Sequence, residues 1–310
     1  MRAPDLTIED VRRIVDEIEF TNIEEIGKGG QKTVFKVNTK EECFTLKFLE
    51  IQEEKGPGFL TMHEEHTDVT EDLETEVLAR AKREVAIMEK CDSPNLVKLG
   101  PVPISFKEYD SKRLIFFSEE YIEGEDVYKL LLRNGKFSME EGIKLASDLT
   151  IAINELWSIN MVHRDIKPQN IMRRVNGDYI LLDAGIAFDT LGTMLTNTFG
   201  QVGTQYFKSP EQIKGIKSTL DFRSDLFLVG LVTYFVLTLR HPFADNKTDG
   251  DTCNYNIIFN PPTEPKTYNS DIPDELNRVI LRLLGKEPHL RYRNCDELLA
   301  TLADIKERYV

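Results

Sequence analysis

The spacing of apolar positions changes character along the chain. Thr7 and Asp10 stand where a helix N-cap and its third residue would, and Ile8, Val11, Val15 and Ile18 follow at helical spacing, predicting a short amphipathic N-terminal helix. From Phe20 to Phe48 the pattern shifts to short β-rich runs broken by glycine, in "NIEEIGKGGQKTVFKVNTKEECFTLKFLE", which predict three antiparallel strands. "LETEVLARAKREVAIMEKC" then carries strong helix formers, and "RLIFFSEEYIEG" at 113–124 predicts a strand running into a glycine-marked hinge. Residues 138–160, 224–239 and 273–285 all show helical periodicity. The chain therefore divides near Ile122–Gly124 into a β-rich first part and an α-rich second part, with a ligand cleft expected between them.

Residues 50–76 interrupt this plan with a run of acids, Glu50, Glu53, Glu54, Glu64, Glu65, Asp68, Glu71, Asp72, Glu74 and Glu76, against Lys55 alone. A solvated insertion is expected, a docking surface being the functional alternative. His63 and His66 in "HEEH" lack the spacing that puts two metal ligands on one helix face. The apolar stretch "LFLVGLVTYFVLTL" at 226–239 is too short to span a bilayer and contains Thr233 and Thr238, so a buried core helix is expected.

Composition adds limits. A chain of 310 residues with 41% hydrophobic content can bury a large core in two domains or one two-lobed unit. A net charge of −14 argues against a non-specific nucleic-acid binder or an anionic-membrane binder, both of which need clustered Lys and Arg. Cys43, Cys91, Cys253 and Cys295 lie far apart without C-x-x-C spacing, so they read as packing residues in a reducing compartment. The charged opening "MRAPDLTIEDVRRIVDEIEF" has no secretory apolar core, which gives a cytoplasmic expectation with no membrane partner.

Polar chemistry concentrates in "MVHRDIKPQNIM" at 161–172, where His163, Arg164, Asp165, Lys167 and Asn170 lie between two apolar runs. Group transfer from a nucleoside triphosphate needs a carboxylate to orient and deprotonate the acceptor hydroxyl, cations to offset phosphate charge, and oxygens to hold magnesium. Asp165, Lys167 and Asn170 supply these in order. Downstream, "YILLDAGIAF" ends a β-rich run in Asp183, placed as a second magnesium ligand; upstream, "IGKGGQKTVFKV" is a glycine-rich turn suited to lie over phosphates. In this order, these segments resemble the protein kinase family over about residues 20–305.

The resemblance implies an α+β, bilobal protein-kinase fold. A helical extension at 1–19 precedes a β-rich N-lobe with one main helix at 20–122, and an α-rich C-lobe fills 123–310, with the ATP cleft between the lobes. Gly27 and Gly29 are similar to the first two glycines of the nucleotide loop, and Val34 to the residue that packs on adenine. Lys47 in "FTLKFL" is similar to the strand lysine that pairs the α- and β-phosphates, and Glu84 in "AKREVAIM" to its helix partner. Glu120 and Ile122 on the hinge, with Met172, complete the cofactor-binding set. "HRDIKPQN" resembles the catalytic loop, which gives Asp165 the catalytic-base role, Asn170 a magnesium role and Lys167 the serine/threonine-type signature. Asp183 in "DAG" takes the other magnesium role, Thr204 is the substrate-loop Thr, and Glu211 is expected to pair with Arg291. Asp225 in "SDLFLVG" and "HPF" at 241–243 complete the second lobe. Thr196 and Thr198 are expected activation-loop phosphorylation sites, and the wording of both loops looks most like bacterial members.

In function, the resemblance implies an ATP- and Mg2+-dependent serine/threonine protein kinase, with Mn2+ an alternative ion, acting on protein substrates and forming a homodimer during autophosphorylation. Lys32 stands where the third loop glycine is usual, Thr45 where Ala is usual and Ala184 where Phe is usual, with Met88, Leu99 or a neighbouring aromatic as candidates to fill the space that Ala184 leaves. Glu119 falls at the gatekeeper position, where it either pairs with Lys47 or faces away. The alternatives are a pseudokinase or scaffold that binds nucleotide without efficient transfer, and a small-molecule kinase of the aminoglycoside-phosphotransferase type. The latter lacks the peptide-binding "GT…SPE" segment present here.

Overall fold

Alternate residues of 32–38 are buried: Thr33, Phe35 and Val37 point into a core while their neighbours do not, as a strand with one face covered requires. The computed structural model of the protein describes residues 3–29, 32–51, 69–183, 206–215, 220–245 and 247–310, with side chains in the helix at 69–90 described from residue 77 onward. The chain divides into two units, Met1–Glu89 with Lys98–Tyr121, and Lys90–Val97 with Ile122–Val310.

The first unit contains α1 (Ile8–Ile14), β1 (Asn22–Gly29), β2 (Lys32–Asn38), β3 (Cys43–Ile51), α2 (Val69–Lys90), β4 (Ser105–Tyr109) and β5 (Lys112–Glu120). The strands form one antiparallel sheet in the order β1-β2-β3-β5-β4. Phe35, Val37, Phe44, Leu46, Phe48, Leu114 and Phe116 share one core and pack against Leu6, Val11, Ile14 and Val15. The N-terminal helix, set apart from sequence as an extension, is thus part of this unit's core. Thr7 and Asp10 form a reciprocal capping box that starts α1. The Tyr109 hydroxyl donates to Asp10 Oδ1 at 2.6 Å, and Lys107 Nζ donates to Ile14 O at 2.9 Å, so β4 fastens both ends of the helix. The Tyr109 hydrogen bond, followed by those from Thr7, pulls the Asp10 carboxyl down to about 2.

Two expectations change here. Because α2 begins at Val69, the acids at 69–76 belong to a helix rather than to a loop, and the remaining insertion with His63 and His66 lies outside the described residues. Cys43 is exposed at the start of β3, and Cys91 is half-buried; only Cys253 and Cys295 are the buried packing residues expected of all four.

The second unit holds a small antiparallel sheet, β6 (Gly124–Asp126), β7 (Ile171–Arg174) and β8 (Tyr179–Leu181). Its helices are α3 (Val127–Asn134), α4 (Met139–Ser158), α5 (Pro210–Lys214), α6 (Phe222–Thr238), α7 (Gly250–Phe259), α8 (Asp274–Leu283) and α9 (Cys295–Tyr309). The apolar run at 226–239 becomes α6, buried along nearly its whole length and packed on α4 and α8. Glycine permits both approaches: a Cβ at Gly142 of α4 would stand 2.6 Å from Leu237 Cδ2, and one at Gly230 of α6 2.7 Å from Leu283 Cβ. From sequence, residues 90–97 fall in the first part; they group with the second because Asn95 Nδ2 donates to Tyr179 O at 2.9 Å and Val97 N to Leu181 O at 3.1 Å. Among the described residues no helix is long and apolar enough to cross a membrane.

Candidate active site

Antiparallel partners share a sheet face, and β2, β3 and β5 are registered so that Val34, Lys47 and Phe117 lie abreast, on the face opposite the core. Thr45 pairs with Glu119, which brings Glu119 onto that face beside Lys47. Lys47 Nζ lies 3.1 Å from Glu84 Oε1, presented by α2, and 2.6 Å from Glu119 Oε2. The first contact is a hydrogen bond; the second is an ion pair off the hydrogen-bond direction. Side-chain exposures of 4% for Lys47, 3% for Glu84 and 6% for Glu119 mean that each charge depends on its neighbours for stabilisation. The gatekeeper position thus resolves toward pairing. Sequence reasoning noted Lys32 only as a departure; its ammonium lies 3.9 Å from the same Glu84 oxygen.

Gly27 sits opposite Val34, and Gly29 opposite Lys32. Among the described residues a Cβ at Gly29 would meet nothing within 4 Å, open space of the kind a phosphate needs. Glu120 donates its N–H to Lys98 O at 2.9 Å and accepts from Lys98 N at 3.0 Å through Oε1. In the second unit, Ile122 is buried at its start, and Met172 is half-buried in β7 opposite Ile180.

The loop from His163 to Asn170 is built around backbone contacts. Asp225, near the start of α6, accepts from the N–H groups of His163 and Arg164, each at 2.7 Å. Burial pushes the Asp225 carboxyl up, while charge from His163 and the two N–H donors oppose that shift. Arg164 is thereby held at φ 68°, a left-handed conformation that a side chain ordinarily avoids. Its carbonyl accepts from Gln212 Nε2 at 2.6 Å, a link to α5 that motif reading does not reveal. His163 Nδ1 lies 3.3 Å from Asp165 N, and Nε2 lies 2.8 Å from Leu182 O, so both ring nitrogens meet backbone groups of this unit.

Asp165 receives the result. Lys167 Nζ donates to both its carboxylate oxygens at 2.9 Å, and Asn170 Nδ2 donates to Oδ2 at 2.7 Å and to its carbonyl at 2.9 Å. The carboxylate is fixed yet 33% exposed, so it retains access to an incoming group. With Asn170 Nδ2 committed to Asp165, Oδ1 is the atom through which Asn170 would hold a metal. Leu182 N donates to Asn170 O at 2.8 Å, which ties that residue to the chain leading into Asp183, itself at φ 58°. An amide oxygen and a carboxylate are hard donors that fit Mg2+ or Mn2+.

A further pair stabilises this unit. Arg291 meets Glu211 through Nη1–Oε1 at 2.6 Å and Nη2–Oε2 at 3.0 Å, and donates to Arg223 O at 2.7 Å and Gly285 O at 2.8 Å. The bidentate geometry and filled donors make this buried pair tolerable. Ala184, Thr196, Thr198 and Thr204 lie outside the described residues.

The protein kinase domain family matches residues 20–301. The chain belongs to that family. A probable serine/threonine-protein kinase of Clostridium acetobutylicum is 32% identical over 246 residues, or 78% of this chain and 35% of that protein. The serine/threonine-protein kinase pkn3 of Myxococcus xanthus is 29% identical over 294 residues, 91% of this chain and 49% of that kinase. PrkC of Bacillus subtilis, a serine/threonine-protein kinase, is 28% identical over 236 residues, 76% and 34% respectively. The chain spans between about a third and a half of the length of these curated bacterial kinases. The expected fold is borne out: a kinase domain with a five-stranded sheet in one unit and mostly helix in the other.

Proposed function

We propose that this chain transfers the γ-phosphate of ATP to Ser or Thr hydroxyls of protein substrates. The observation that carries the reading is the Asp165 carboxylate, held by Lys167 and Asn170 while a third of its side chain stays exposed. In the transfer, Asp165 accepts a hydrogen bond from the acceptor hydroxyl and takes its proton as the new O–P bond forms and the bond from the γ-phosphorus to the β–γ bridging oxygen breaks. Lys167 steadies the transferred group by charge. In this reading Lys47, oriented by Glu84, would serve the α- and β-phosphates, Gly27, Gly29 and Val34 would serve the nucleotide loop, and Glu120, Ile122 and Met172 would serve the base. Asn170 and Asp183 would hold magnesium, which would supply charge neutralisation to the phosphates when bound.

The bacterial relatives named as serine/threonine kinases support this reading, and the binding-only alternative draws no support from them. The free cysteines suit a reducing compartment, so we place the activity in the cytoplasm. Autophosphorylation at Thr196 or Thr198, within a transient homodimer, extends the proposal.

The test is labelled ATP with magnesium and a general protein acceptor. The parent should place label on Ser or Thr. Asp165→Asn should lose transfer by roughly 10³-fold or more with nucleotide affinity within a few fold, since that contact acts in the transition state. Asp183→Asn should lose metal-dependent nucleotide binding and transfer together. Undiminished transfer by Asp165→Asn would remove the base assignment.

A further inference from the structure

Two departures from the family's usual residues meet in the first unit. Glu119 puts a second carboxylate on Lys47, at 2.6 Å, and Lys32 puts a second ammonium 3.9 Å from the Glu84 oxygen that Lys47 also contacts. The four side chains come from four elements, β2, β3, α2 and β5, and the least buried of them, Lys32, is only 18% exposed. One ammonium between two buried carboxylates leaves a net charge of −1, unfavourable both for burial and for a polyanion close by. Lys32 adds a second positive charge beside these two carboxylates.

We propose that Lys32 is a second phosphate-positioning lysine, made necessary because Glu119 draws on the charge of Lys47. This rests on the reading of Lys47 as the lysine that faces the phosphates of ATP. Lys32 stands on the same sheet face as Lys47, in register between Gly29 on β1 and Leu49 on β3, so it lies beside the space over Gly29 that is open among the described residues. Glu119 and Lys32 are then one compensated change. Either charge alone disturbs the nucleotide's surroundings, and the pair restores them.

The experiment is a charge-rescue cycle read by calorimetry with a non-hydrolysable ATP analogue and magnesium, and by KM for ATP in the transfer assay. Lys32→Met should weaken analogue binding and raise KM by roughly tenfold, with kcat falling less, because the lost charge acts on the bound ground state as well as on the transition state. Lys32→Arg should keep most of the affinity. Adding Glu119→Gln to Lys32→Met should recover binding to within about threefold of the parent, a rescue that a purely structural lysine would not give. Lys32→Met binding within twofold of the parent, or a double variant as weak as the single, overturns the inference. Because binding is read directly, a parent that binds the analogue but transfers nothing overturns the kinase reading while the Lys32 comparison still decides. A parent that binds no analogue overturns both.

Discussion

Arg291 is 1% exposed and Glu211 4%, and the two meet bidentately, so each stands against a group of opposite charge type rather than alone in the core. Removing one partner strands the other, so Arg291→Met should cost about 3–5 kcal/mol, measured by urea denaturation. Arg291→Met with Glu211→Leu should recover a large part of that loss; equal destabilisation of single and double variants would show that the pair itself is not the cause. This contact, like Lys47–Glu84, was legible in the sequence because motif order places both partners. The contacts of Glu119 and Lys32 were not. They depend on strand register, which decides the face a side chain takes, and one residue of slip would have sent Glu119 to the opposite side. The Gln212 link to Arg164 O was likewise invisible, since it needs the left-handed turn at Arg164.

Among the elements, α1 shows what periodicity can and cannot give. Thr7, Asp10 and the apolar spacing announced the helix, whereas its attachment to β4 through Tyr109 and Lys107 joins residues far apart in sequence. Ile14, 1% exposed, packs with the strand aromatics, so Ile14→Ala should cost roughly 2–4 kcal/mol, and Thr7→Ala about 1 kcal/mol through the lost cap. Both are read from the denaturation midpoint of the intact chain. An independent N-terminal extension would leave that midpoint where it is in the parent. The helices expected at 138–160, 224–239 and 273–285 were legible within a few residues because each carries a sustained apolar pattern; the start of α2 was not, because a run of acidic residues marks loop and helix alike.

For the whole molecule, acid sensitivity follows from a buried histidine. His241, ringed by Tyr206, Phe207 and Phe243, accepts from Phe243 N at 3.2 Å, and burial pushes its pKa from 6.5 down to about 4, with the Tyr206 backbone opposing. The folded state stays neutral where the unfolded chain takes a proton, so stability falls as pH drops from about 6.5 toward 4 and is constant for this group below that, an effect of at most about 3 kcal/mol. His241→Phe should flatten the dependence of thermal midpoint on pH between 7 and about 4.5 relative to the parent, whatever its absolute stability. An unchanged slope would mean that carboxylates alone govern the acid limb. Asp225 carries a different consequence. Amides of irregular loops usually exchange with solvent in local openings, but those of His163 and Arg164 donate to a fully buried carboxylate rooted in α6. Their hydrogen exchange should be as slow as that of the α6 core, and Asp225→Asn should speed it selectively, giving the His163–Asn170 loop a spectroscopic reporter that needs no substrate.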